Sequence, residues 1–154
     1  MKQNRKIITT NRKAFYRYYI EDTIEAGIVL TGSEAKSAKT GNLVLSDAYA
    51  IIKRGECFLL NCHISPYIHD SLSSKTYEPT RTRKLLLKRQ EIGKLAGKIA
   101  SRGYTLVPTE VYVNEKSLIK VSIGLAKGKK GPDKRESIKK RELDRELHRS
   151  VKLR

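Results

Sequence analysis

A chain of 154 residues with 33 Lys and Arg against 16 Asp and Glu carries a formal charge of +17 and a pI near 10. That length accommodates one core and an appendage, and that charge is the footprint of a polyanion binder, with nucleic acid ahead of acidic membrane. Without a long apolar span, an apolar N-terminal signal region or a basic amphipathic helix bearing bulky aromatics, the protein is expected to be soluble, unexported and cytoplasmic.

Residues 1–12 are polar and basic and read as a loose N-terminal arm. Tyr16, Tyr18 and Ile20 then alternate with Arg17, Tyr19 and Glu21, the period of a strand, and residues 28–30 continue it as one long or bent strand or a second short one. Thr31 stands three residues before Glu34, with Ala35 and Ala38 following and Gly41 beyond, which predicts a short helix opened by a capping box. Two apolar runs, AYAII and CFLLNCHI, flank residues 53–56 and predict a hairpin with a glycine-containing turn. Cys57 and Cys62 read as buried small hydrophobes, and their odd spacing in a strand predicts opposite faces and no bridge.

Residues 65–82 form a loop-rich stretch that leads through the basic Arg81, Arg83 and Lys84 into residues 85–87. Ile92, Leu95, Ala96, Ile99 and Ala100 recur at helical spacing before Gly103, which predicts the one long helix. Gly93 and Gly97 within it each cost roughly 1 kcal/mol relative to alanine, so close packing is the expected compensation. Strands follow over 104–113 and 117–126, the second with Ile119, Val121, Ile123 and Leu125 inward and Lys120, Ser122 and Gly124 outward. Short antiparallel strands with one or two helices make the body, 13–126, a mainly β domain, best matched by a barrel of the oligonucleotide-binding type; an open sheet with helices on one face is the alternative.

After Leu125 the apolar pattern stops. Residues 127–154 hold twelve Lys and Arg against five Asp and Glu, +7 of the chain's +17, with too little apolar surface to offset chain entropy. This tail is expected to be disordered when free and to fold on a partner. As a helix from Glu136 it would align Arg141, Arg145 and Arg149 in a basic ridge opposite a thin apolar line of Leu143, Leu147 and Val151. A merely solubilising tail is the bland reading.

Chemistry leaves few traces. His63, His69 and His148 have neither metal-ligand spacing nor a relay that sequence adjacency can build, so no catalytic residue, metal or cofactor is expected; a small ribonuclease using His63 or His69 is the enzymatic rival. The eight tyrosines offer stacking platforms for unpaired bases, though core and rim positions are expected for most. Glu25 is out of place on a basic surface. By composition it reads as solvated, and any contact with RNA would have it accept a hydrogen bond from a base or a 2′-hydroxyl.

Four stretches in this order, TNRKAFYRYYIEDTIEAGIVLTGSEAKSAKTG, NCHISPY, YEPTRTRKLLLKRQEIGKLAGKIASRGYTLVP and IGLAKGKKGPDKR, resemble the small protein B family across nearly the whole chain. The resemblance implies a closed antiparallel barrel with peripheral helices and a disordered basic tail. It implies a non-enzymatic bacterial protein that binds the tRNA-like domain of transfer-messenger RNA (SsrA RNA) and serves trans-translation on stalled ribosomes. It also implies that the tail enters the vacant mRNA channel beside the decoding centre. Carried over by motif, the family's RNA contacts fall on Asn11, Glu25 and Leu86, and its tail motif on Asp133, Lys134 and Arg135. Arg12, Lys13 and Lys84 join the first group on charge alone. Lys127, Lys129 and Lys130 precede the tail motif, and Pro132 stands where some relatives carry histidine. A monomer is expected. The non-enzymatic rival is a structural ribosomal RNA-binding protein with a basic tail.

Overall fold

The computed structural model describes residues 5–67 and 77–129. Within them the predicted arm already contains a strand, β1 (Lys6–Thr10), which pairs antiparallel with β8 (Thr105–Val113). Ile7, Ile8 and the two threonines after them supply β-forming residues that outweigh the basic composition of the segment.

The alternation predicted as a strand from Tyr16 is broken by α1 (Arg12–Arg17), and β2 (Tyr18–Ile28) starts two residues late. Asn11 is the reason. Its Oδ1 accepts from the Ala14 amide at 3.3 Å, capping the helix. Its own amide donates to Thr109 O at 2.8 Å, and its Nδ2 donates to Pro108 O at 2.8 Å and Leu45 O at 3.2 Å. The carbonyls of 108 and 109 are available because β8 carries a bulge against β9 between Pro108 and Glu110, the position in a strand where proline's missing amide does least harm.

The predicted helix after Thr31 is α2 (Gly32–Lys39), with both halves of its capping box made: Glu34 N donates to Thr31 Oγ1 at 3.2 Å, and Thr31 N to Glu34 Oε1 at 3.0 Å. A two-residue strand, β3 (Leu43–Val44), pairs with β6 (His63–Ile64) in a small separate sheet. Between them lies the predicted hairpin, β4 (Tyr49–Lys53) and β5 (Glu56–Leu60), turned by Arg54 and Gly55 at φ 53° and 74°. β7 (Arg83–Leu86), α3 (Arg89–Arg102) closed by left-handed Gly103, β8 and β9 (Ile119–Gly128) complete the elements of the described residues.

Hydrogen bonding runs β8–β4–β5–β7–β2–β9 and returns from β9 to β8, a ring-like antiparallel arrangement in which β1 lies on β8 beyond its short contact with β4. Leu59, Leu85, Leu106, Val111, Val121, Ile123 and Leu125 fill its interior, and Leu95 and Ile99 of α3 pack against them. Gly124, expected on the outer side, is covered there. A Cβ at that position would lie 2.9 Å from methyl carbons of both Ile20 and Thr109, so the missing side chain lets two bulged strands close over β9.

Two expectations are corrected inside this frame. Cys57 and Cys62 both enter the core, because Asn61 at φ 59° ends β5 and breaks the alternation; both are free thiols that burial pushes up to about 11. Gly93 and Gly97 are not closely packed: an added Cβ would meet open space at either. Arg83, unlike the exposed Lys84 beside it, has 0% exposure and is the largest fully buried side chain among the described residues. Its Nε donates to Glu34 Oε2 at 2.8 Å, while its Nη atoms donate to Cys62 O at 2.6 Å and Pro79 O at 3.0 Å. Arg81 also donates to Glu34. Burial acts to raise the Glu34 pKa, but the hydrogen bonds from Arg81, the Thr31 amide and Arg83 outweigh it and hold the carboxyl at about 2. The cluster ties α2 to the start of β7.

Candidate nucleic-acid interface

Where side chains alternate, the outer face of one part of the sheet follows from its register. Ile7 of β1 is opposite Tyr112 of β8, Tyr112 opposite Lys120 of β9, Lys120 opposite Gly27 of β2, and Gly27 opposite Leu86 of β7. Beside this row runs Thr10, Glu110, Ser122 and Glu25. Five strands thus bring Glu25 and Leu86 onto one continuous surface with Lys120. Gly27 shapes it: a Cβ there would sit 3.2 Å from the Leu86 Cβ, so its absence opens room beside Leu86, which is 53% exposed.

Glu25 is not merely solvated. Tyr112 donates its hydroxyl to Glu25 Oε2, and the Arg5 guanidinium lies 4.8 Å from the centre of the Tyr112 ring while bonded to Glu110 at 3.1 Å. Burial, then the Glu25 carboxylate, push the Tyr112 pKa well above the usual tyrosine range. The phenol therefore remains a donor throughout the physiological range. An acceptor-only carboxylate next to an exposed leucine and a lysine can receive an N–H or 2′-hydroxyl, pack a ribose or base, and neutralise a phosphate.

Of the remaining predicted residues that are described, Lys84 joins this face and the others fall elsewhere. Lys84 shares the outer side of β7 with Leu86 and reaches Glu56 at 3.5 Å. Arg12 and Lys13 are exposed on α1, where Lys13 lies 3.6 Å from Asp47. Lys127 is opposite Tyr19, one pair before β9 ends its pairing with β2 at Gly128, and Lys129 donates its amide to Arg17 O at 3.0 Å with its Nζ 5.3 Å from the Tyr19 ring. Arg12, Lys13, Lys127 and Lys129 thus gather at the opposite end of β2, roughly 20 Å from Glu25 at about 3.3 Å per residue. Asn11 is buried, with its side-chain oxygen and nitrogen both bonded within the protein, and it caps α1. Lys130, Asp133, Lys134, Arg135, Arg141, Arg145 and Arg149, like Pro132, His69 and His148, lie outside the described residues.

His63 is exposed on β6, and among the described residues no three His, Cys, Asp or Glu side chains group as metal ligands. No described helix is long and apolar enough to cross a membrane. Sequence reasoning missed Arg5, Gly27, Lys120 and Tyr112 as parts of the surface. Their relation to Glu25 is set by cross-strand register, and the outward alternation of Lys120 was its one visible trace.

Comparison with known proteins agrees over nearly the whole length. The profile of the SmpB protein family matches residues 8–153. The SsrA-binding protein of Symbiobacterium thermophilum is 50% identical over 145 residues, 94% of this chain and 90% of its own. That of Trichormus variabilis is 52% identical over 147 residues, 96% of this chain and 94% of its own. A solved chain described under "tmRNA-SmpB: a journey to the center of the bacterial ribosome" superposes with a TM-score of 0.67 at 41% identity, covering 84% of this chain and 93% of that one. With half its residues shared over almost the full length of such relatives, this chain belongs to the SmpB protein family.

Proposed function

We propose that this chain binds the tRNA-like domain of transfer-messenger RNA and brings it to stalled ribosomes in trans-translation, acting in the cytoplasm as a monomeric, non-enzymatic RNA-binding protein. The near-full-length match to SsrA-binding proteins carries the reading. In this proposal the ring of strands is a closed barrel of the oligonucleotide-binding type spanning 13–126, preceded by a basic arm, 1–12, that β1 fastens to β8. Glu25 accepts a hydrogen bond from RNA, Leu86 packs on it, and Lys84, Arg12 and Lys13 meet phosphates, with Asn11 fixing the helix that bears the last two. Residues 127–154 supply the charge for a second polyanion, the vacant mRNA channel near the decoding centre. Lys127, Lys129, Lys130, Asp133, Lys134, Arg135 and the ridge of Arg141, Arg145 and Arg149 are the groups proposed to act there.

Purifying tagged full-length protein from cells and sequencing its RNA tests the partner. One dominant tRNA-like RNA is expected, whereas ribosomal RNA alone would favour a structural ribosomal protein. Gel-shift titration of Glu25→Ala and Leu86→Asp tests the surface: both should weaken binding with unchanged circular dichroism. Undiminished affinity in both folded variants removes the surface from the interface.

A further inference from the structure

We propose that Tyr112 is a positioning residue for RNA recognition: its hydroxyl anchors Oε2 of Glu25 and so holds Oε1 ready to accept a hydrogen bond from an RNA N–H or 2′-hydroxyl. The inference rests on the reading of Glu25 as an RNA contact and deepens it. Tyr112 occupies an outward position of β8, yet it is 2% exposed, because Arg5 lies over its ring and Ile7 is its neighbour on β1. A phenol so covered requires a partner for its hydroxyl. The partner is a glutamate that belongs, by sequence, to another strand 87 residues away. Among the described residues no other group bonds the Glu25 carboxylate.

The arrangement has the layers of a built site. Glu110 holds Arg5, Arg5 covers Tyr112, and Tyr112 fixes Glu25. An exposed glutamate on a strand otherwise samples many rotamers, and ordering it on binding would weaken affinity. With Oε2 already anchored, that ordering is complete before RNA arrives. The raised Tyr112 pKa keeps the anchor protonated, and thus donating, across the range in which ribosomes work.

The test is a double-mutant cycle in the full-length protein, reading affinity for the tRNA-like domain alongside thermal stability. Tyr112→Phe keeps the ring beneath Arg5 and removes the hydroxyl. It should weaken binding about fivefold to tenfold when Glu25 is present, the effect of ordering one rotamer-rich side chain. It should cause no further loss in a Glu25→Ala background. Because Tyr112→Phe removes no cation, the slope of log K against log salt should stay unchanged. An equal loss in both backgrounds would make Tyr112 a structural plug and overturn the proposal, as would undiminished affinity in Tyr112→Phe alone. If Glu25→Ala itself binds normally, the placement of Glu25 at the interface fails first and Tyr112 falls with it. A readout free of RNA checks the contact: in Glu25→Gln, ultraviolet titration should show one tyrosine ionising at lower pH than in the wild type. An unmoved titration also overturns the proposal.

Discussion

Replacing Glu34 with glutamine tests the buried cluster more sharply than any surface change. The amide side chain would keep the volume and an oxygen for the Thr31 amide, but it would leave Arg83, fully buried, without a counter-charge. Removing one partner of a buried pair costs about 3–5 kcal/mol. The proton gives a second route to the magnitude. Glu34 falls from 4.5 to about 2, roughly 2.5 units at about 1.4 kcal/mol each, or about 3 kcal/mol. For a domain of this size that is roughly 10 °C in Tm. The sign follows from a depressed carboxyl: the stabilisation is fully present above the unfolded value of 4.5 and is lost as pH falls through about 2. Thermal unfolding followed by circular dichroism should therefore show a gap of about 10 °C between wild type and Glu34→Gln at pH 7. The gap should narrow from about pH 4.5 downward, since the wild type then loses what the variant never had. Equal Tm values at pH 7 would refute the account of Arg83. A gap independent of pH would refute its electrostatic origin and leave only the cap.

Alanine at Gly93 or Gly97 should stabilise the fold by about 1 kcal/mol each, because an added Cβ meets open space; calorimetry showing no rise in Tm would contradict the exposed-helix reading. Gly124→Ala should instead cost about 1–3 kcal/mol, as its methyl would meet Ile20 and Thr109 at 2.9 Å, and a wild-type urea midpoint would contradict the close approach. Deleting 131–154 should leave RNA affinity largely intact while abolishing peptide tagging on ribosomes programmed with a stopless message; tagging at the full rate would reduce the tail to a solubility appendage. Reversing Arg141, Arg145 and Arg149 to glutamate should block tagging more than alanine at Leu143 and Leu147, since charge rather than apolar area dominates that segment.

Elements governed by neighbours in the chain were legible. Thr31 with Glu34 opened α2, Gly55 turned the hairpin, Gly103 closed α3, and alternation marked β8 and β9. What failed depended on distant partners. Asn11 caps α1 while tied to a bulge about a hundred residues away, so the local alternation of Tyr16, Tyr18 and Ile20 imitated a strand. Arg83 resembled its basic neighbours until Glu34 gave it a reason to turn inward. Glu25 and Leu86 were reached through family motifs, and no local pattern could join Glu25 to Tyr112, because only register across β8, β9 and β2 brings them together.

The order of pairing also sets a timetable for synthesis. Ile20 of β2 is opposite Ala126 of β9, 106 residues later in the chain, whereas β7 engages β2 only at Gly27 and Ile28. At about 5–20 residues per second, the long side of β2 waits about 5–20 s for its partner to be made. The nascent chain must therefore carry β2 through translation with most of its backbone amides and carbonyls turned to water. The lysines and arginines around that strand, read so far as an RNA footprint, would also keep neighbouring nascent copies apart until β9 arrives.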